Sequence, residues 1–163
     1  MTDPSLRKDA EGLADLLLKK RLTLSLAESC TGGMISSVIT DIPGASGFFR
    51  GCAVTYSNDS KEKILNIPAG TLIAYGAVSA ETAKAMAEGA RELFAADIAG
   101  SATGIAGPDG GSEQKPVGTV FTAVTDGKRT ECRGLLLNGS RDEIRKGTAQ
   151  NLIGMLRDLV GEG

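Results

Sequence analysis

Between Asp97 and Thr103 the chain runs Asp-Ile-Ala-Gly-Ser-Ala-Thr. A strand built from Ala99, Gly100, Ser101 and Ala102 carries almost no side chain of its own. It gains stability where other backbone comes close to it, so this run predicts a central strand, closely approached by its neighbours. The rest of the chain must then supply the cover.

Helical and strand periodicities alternate around that centre. Leu6, Ala10, Leu13 and Leu17 recur at helical spacing and predict an amphipathic helix over 4–20. Residues 22–28 alternate as a strand, and residues 32–40 follow as a helix entered through Ser29-Cys30-Thr31. A second strand is expected over 48–56, a short helix over 59–65, and a helix over 80–95 capped by Ser79. Strands over 117–124 and 129–137 are joined by the hairpin signal Asp126-Gly127. Ser140-Arg141-Asp142-Glu143 has the form of a capping box and opens a last helix, with Ile144, Thr148, Leu152, Met155 and Leu159 on its buried face. Helices alternating with strands, closed by a hairpin, predict a three-layer α/β/α sandwich around a mixed sheet. The 163 residues lie within the roughly 100–200 of one domain, and no linker or repeat interrupts them, so one domain over 1–163 is expected.

Composition removes several function classes. The chain has no histidine, which excludes imidazole as general base or metal ligand. Cys30, Cys52 and Cys132 have neither zinc-ligand spacing nor a disulfide framework, so no metal site and no cofactor is expected. A net charge of −2 offers no basic field for nucleic acid or an anionic membrane. Residues 1–18 are charged and amphipathic rather than a signal peptide, and no apolar run of about 18 residues exists. The expected setting is cytoplasmic, with reduced thiols.

Four stretches carry chemistry. Glu28-Ser29-Cys30-Thr31-Gly32-Gly33 lies at a strand-to-helix junction, where free amides of the first helical turn hold an anion or an oxyanion. Ser29 is the candidate nucleophile. Cys30 is a rival without a base-like neighbour, and a small buried hydrophobe is its other reading. The same stretch also suits a plain cap with glycines for a tight turn. In Tyr56-Ser57-Asn58-Asp59-Ser60-Lys61, a helix starting at Ser57 or Asn58 places Lys61 in its first turn. There the dipole lowers the amine's pKa, so that a neutral Lys61 takes a proton from a serine hydroxyl and Tyr56 relays or holds it. A surface lysine without a role is the alternative. The third stretch, Thr103-Gly104-Ile105-Ala106-Gly107-Pro108-Asp109-Gly110-Gly111, is neither a Walker loop nor GxGxxG, and its bare backbone lets a ligand approach closely. The fourth is Arg141 and Arg145, four apart on one helix face. They clamp a phosphate together or pair with Asp142 and Glu143 on a solvated face.

AESCTGG, VTYSNDSK and TGIAGPDGGSEQKPVGTV, in this order, resemble the family of the C-terminal domain of competence/damage-inducible protein CinA. The likeness runs from about Leu6 to Leu159. It implies a three-layer α/β/α fold and, for the stand-alone form of that domain, hydrolysis of nicotinamide mononucleotide to nicotinate mononucleotide and ammonia. By the same resemblance Ser29 is the nucleophile, Tyr56 and Lys61 are its partners, Thr103 and the following glycines Gly104 and Gly107 line the substrate pocket, and Arg141 and Arg145 form the basic helix start. A homodimer is implied by resemblance only. The larger N-terminal domain of many relatives is expected to be absent, so its pyrophosphate chemistry is not transferred. A nucleotide-binding accessory domain without turnover is the other reading. If the Ser–Lys expectation holds, a chelator leaves ammonia release intact; loss of activity in EDTA, restored by a divalent ion, would overturn it.

Overall fold

The computed structural model describes residues 3–162. The Asp3 carboxylate accepts from the amides of Ser5 and Leu6, Pro4 occupies the first turn, and helix α1 (Pro4–Lys20) ends where Arg21 turns left-handed. Strand β1 (Leu24–Glu28) follows and is buried throughout. Helix α2 (Met34–Thr40) starts two residues later than its sequence predicts, because Gly32 and Gly33 take positive φ of 58° and 97° and extend the entry turn. Strand β2 (Phe49–Val54) leads to helix α3 (Asn58–Leu65), whose capping box pairs Ser57 with Ser60.

Helix α4 (Ala69–Tyr75) has no counterpart in the sequence reading. Its seven residues have no side-chain cap and bury only Leu72, so they leave no helical period to read. Helix α5 (Ala80–Leu93), strand β3 (Ile98–Gly104), the hairpin of β4 (Thr119–Thr125) and β5 (Thr130–Leu136), and helix α6 (Arg141–Glu162) complete the chain. The start of α6 carries the expected box: Ser140 N–H donates to Glu143 at 2.7 Å and Glu143 N–H to Ser140 Oγ at 3.3 Å.

The sheet order is β2-β1-β3-β4-β5. β1 is parallel to β2 and β3, whereas β4 is antiparallel to both β3 and β5. The small-residue strand is therefore the middle one. Its even face receives α6: a Cβ on Gly100 would lie 3.1 Å from Leu152 Cδ1. Its odd face receives α5, where Ser101 donates to the Ala83 carbonyl. Leu13, Leu17, Leu24, Leu26, Leu152 and Leu156 fill the core on the first face. Ala27, Met86, Ala90 and Ala99 form a thinner layer on the second, with Leu65 of α3.

The small residues of α5 let α3 sit close. A Cβ on Gly89 would stand 2.5 Å from the Leu65 carbonyl oxygen, so the two helices approach backbone to side. Gly→Ala inside a helix ordinarily stabilises by about 0.5–1 kcal/mol through propensity. Here the sign should reverse: Gly89→Ala is expected to destabilise by about 2 kcal/mol, because α3 must shift to admit the methyl group. Urea unfolding checks it, and a stabilised variant would contradict the packing described.

Candidate active site

The C-terminal ends of the three parallel strands β2, β1 and β3 lie side by side, the usual place for a ligand crevice in an α/β sheet. The ladder runs one residue past their formal ends. Ser29 N–H donates to the Ala102 carbonyl at 3.0 Å and Thr55 N–H to the Glu28 carbonyl at 2.9 Å. Ser29 is thereby pinned between β2 and β3 while its side chain leaves the last pleat of β1.

Lys61 reaches this point from α3. Its Nζ donates to Ser29 Oγ at 3.1 Å and to the Thr55 carbonyl at 2.7 Å. Lys61 is 1% exposed and, among the described residues, has no carboxylate partner. Burial without a counter-ion disfavours the ammonium and pushes its pKa from an ordinary 10.5 down to about 8, with nearby Cys30 a smaller, opposing influence. Desolvation is the main cause of the lowering. About a tenth of Lys61 is therefore neutral at pH 7 and faces a serine hydroxyl, the donor–acceptor pair a Ser–Lys hydrolase requires.

Cys30 is buried, and desolvation raises its thiol to about 11, with Glu28 adding to the rise and Arg145 and Lys61 opposing it. The thiol stays protonated near neutrality, so Cys30 is a packing residue beside Ala106, Val120 and Ile144 rather than the nucleophile.

Glu28 does not take the ligand-holding role expected of its stretch. It is fully buried, and its carboxylate accepts from the amides of Gly33 at 2.9 Å, Ile35 at 3.2 Å and Ser36 at 2.8 Å. The entry of α2 thus already holds an anion, an internal one, and those amides are not offered to a substrate. Gly32 N–H is also taken, by the Ser29 carbonyl at 3.0 Å. Among the described residues no acceptor takes the amides of Cys30 and Thr31. Thr31 is fully buried, and its hydroxyl, like that of Thr55 beside Ser29, has no hydrogen-bond partner within the described residues.

The two arginines are not a joint clamp. Arg145 donates through Nε to the Cys30 carbonyl at 3.2 Å and through Nη2 to the Thr31 carbonyl at 2.8 Å. Arg141 turns to another loop, donating to the Gly107 carbonyl at 2.7 Å and to Tyr56 Oη at 3.1 Å. Tyr56 is 62% exposed, and its hydroxyl bonds to Arg141, with no bond to Ser29 or Lys61. It stands at the mouth of the site, not in a relay within the pair.

Thr103 closes the row of strand ends but is fully buried, with its hydroxyl donating to the Ala77 carbonyl at 2.8 Å. Gly104 and Gly107 are required by packing: a Cβ would lie 2.6 Å from Val120 on the first and 2.5 Å from Val117 on the second, where φ is 76°. Packing against Val120 and Val117 and the bond to Ala77 fix the backbone of these three residues at the strand end. The structure also supplies a contributor that sequence reasoning missed, the Thr55 carbonyl that anchors Lys61. A backbone acceptor carries no side-chain signal by which it could have been found.

A buried Ser–Lys pair at the strand ends of a three-layer α/β/α sheet defines the class. The particular family is set by comparison: the CinA C-terminal domain matches residues 6–160, and the chain belongs to that family. It is 52% identical over 145 residues to a CinA-like protein of Geobacter metallireducens, covering 89% of this chain and 35% of that protein. With a CinA-like protein of Endomicrobium trichonymphae it shares 51% identity over 142 residues, 87% of this chain and 33% of the relative. The chain therefore spans about a third of the length of these curated relatives. Solved structures match end to end. The competence/damage-inducible protein CihA of Agrobacterium tumefaciens superimposes with a TM-score of 0.95 at 37% identity, covering 98% of both chains. A CinA superfamily protein of Escherichia coli gives 0.92 at 28% identity, covering 98% of this chain and 94% of the other. Among the described residues no helix is long and apolar enough to cross a membrane.

Burying Lys61 costs stability with a definite pH dependence. Below about pH 8 both folded and unfolded chains carry the charge, and the folded state bears the desolvation cost. Between about 8 and 10.5 the folded chain sheds the proton while the unfolded chain keeps it, so wild-type stability rises with pH. The drop in pKa is worth roughly 3 kcal/mol at most. Lys61→Met, which fills the volume without the charge, is therefore expected to be more stable than wild type by about 2 kcal/mol at pH 7. That advantage should vanish by about pH 10.5. Denaturant unfolding across this range checks it, and a variant less stable than wild type at pH 7 would refute the cost assigned to the buried amine.

Proposed function

We propose that the chain hydrolyses the carboxamide of nicotinamide mononucleotide to the carboxylate and ammonia. The observation that carries the reaction class is the 3.1 Å contact between Ser29 Oγ and the Nζ of a buried Lys61 whose pKa is brought down to about 8. The substrate is proposed on the likeness of the three motifs to nicotinamide-nucleotide amidases, since the names of the relatives say CinA-like or competence/damage-inducible and specify no substrate.

In this reading neutral Lys61 takes the Ser29 proton as Oγ bonds to the amide carbon, and the carbonyl electron pair moves onto oxygen. The oxyanion is received by the amides of Cys30 and Thr31. Collapse breaks the C–N bond, and Lys61 returns its proton to the departing ammonia. Water then attacks the acyl-serine, passing a proton to Lys61, which gives it to Ser29 Oγ as the acyl C–O bond breaks and the acid leaves. Arg141 is exposed at the mouth beside Tyr56 and keeps guanidinium N–H groups beyond its two bonds, which suits it to the distal phosphate.

Incubation of the purified chain with nicotinamide mononucleotide should release ammonia and nicotinate mononucleotide in equal amounts. Ser29→Ala should lower kcat by at least roughly a thousandfold while retaining substrate binding. Binding without any turnover by the unaltered chain would favour an accessory nucleotide-binding domain instead. Arg141→Ala is expected to raise KM by about tenfold with kcat nearly unchanged, because a phosphate remote from the amide is held equally in ground and transition states. Nicotinamide riboside, lacking the phosphate, should not respond to this substitution.

A further inference from the structure

The amides from Ser29 to Ser36 divide unequally. Glu28 takes those of Gly33, Ile35 and Ser36, and backbone carbonyls take those of Ser29, Gly32 and Met34. Cys30 and Thr31 are left, directly after the nucleophile. Among the described residues Arg145 of α6 is the side chain bonded to the Cys30 and Thr31 carbonyls, while Ser36 Oγ donates to the Gly33 carbonyl.

A peptide unit is planar and trans, so its C=O and N–H point in opposite directions. The bond from Arg145 Nε to the Cys30 carbonyl therefore sets the direction of the Thr31 N–H, aiming it away from the guanidinium. A charged donor on a carbonyl also polarises the peptide and makes its N–H a stronger donor. The second bond, on the Thr31 carbonyl, fixes the next peptide, whose N–H closes onto the Ser29 carbonyl. A planar fork bridging two successive carbonyls is a task for arginine and not for lysine.

We propose that Arg145 is a positioning residue for the oxyanion donors, acting through the Cys30–Thr31 peptide, and is not the ligand of the substrate's phosphate. The inference rests on the Ser29–Lys61 reading above and adds to it how the receiving amides are held in place.

The test compares wild type, Arg145→Ala and Arg145→Lys in two assays. One is turnover of nicotinamide mononucleotide and of nicotinamide riboside. The other is phosphonylation of Ser29 by a fluorophosphonate, in which Oγ bonds to phosphorus, fluoride leaves, and the phosphonyl oxygen needs the same amides. Arg145→Ala should slow phosphonylation by about a hundredfold, the usual effect of impairing one oxyanion donor. It should lower kcat on both substrates by a similar factor, with KM within about threefold. Arg145→Lys should be impaired likewise, and millimolar guanidinium should partly restore Arg145→Ala. The pH midpoint of Lys61 should stay near 8, since the Ser–Lys pair is not disturbed.

A rise in KM confined to the phosphorylated substrate, with phosphonylation unchanged, would overturn the proposal and make Arg145 a phosphate ligand. A shifted Lys61 midpoint with no rescue by guanidinium would equally overturn it, as mere support of the fold. Wild type that is phosphonylated at Ser29 but releases no ammonia sinks the substrate reading while the role of Arg145 is still read from phosphonylation. Wild type that resists phosphonylation sinks both.

Discussion

A lysine enclosed without a carboxylate is an unfavourable thing to build, and the arrangement around Ser29 follows from how the fold bears it. Lys61 gives up its water for two acceptors, a serine hydroxyl and the Thr55 carbonyl. Neither carries charge, so the ammonium is not rescued and the neutral amine becomes accessible near neutral pH. A glutamate at either place would have made a stable ion pair and a useless base. The fold sustains the cost because α3 is anchored independently, by its Ser57–Ser60 box and by Leu65 packed against α5 at Gly89.

The charged groups around the pair are turned inward to hold backbone. Glu28 satisfies three amides at the entry of α2, which fixes the turn that follows the nucleophile. Arg145 closes the same turn from the carbonyl side. Between them Glu28 holds the amides of Gly33, Ile35 and Ser36, and Arg145 holds the carbonyls of Cys30 and Thr31. Neither residue needs to touch substrate to matter. The glycines Gly104 and Gly107 belong to the same pattern, since Val120 and Val117 occupy the space a side chain would need.

Much of the architecture was legible because periodicity and caps are local. The apolar spacing of α1, the Ser79 cap of α5, the Ser140–Glu143 box of α6 and the small-residue run of β3 each act within a few residues, and each stands where its sequence places it. α4 escaped notice because seven residues with one buried side chain carry no period. The start of α2 was misplaced because glycine permits both a helix start and a left-handed turn, and the choice lies with the neighbours.

By itself the sequence determined which chemistry is open to this chain: no histidine, a serine followed by glycines at a strand-to-helix junction, and a lysine at a helix start. It also determined the order of elements and the small strand about which the sheet is built. Only the tertiary structure decided which groups meet. Ser29 and Lys61 are 32 residues apart in the chain, and Arg145 is 115 from Cys30. Whether a lysine is desolvated, whether an amide is free, and whether an arginine faces a ligand or a carbonyl all depend on what long-range packing brings beside it. A guanidinium or an amide accepts any partner of suitable geometry, and geometry across such distances is set by how helices and sheet pack, not by the residues next in line.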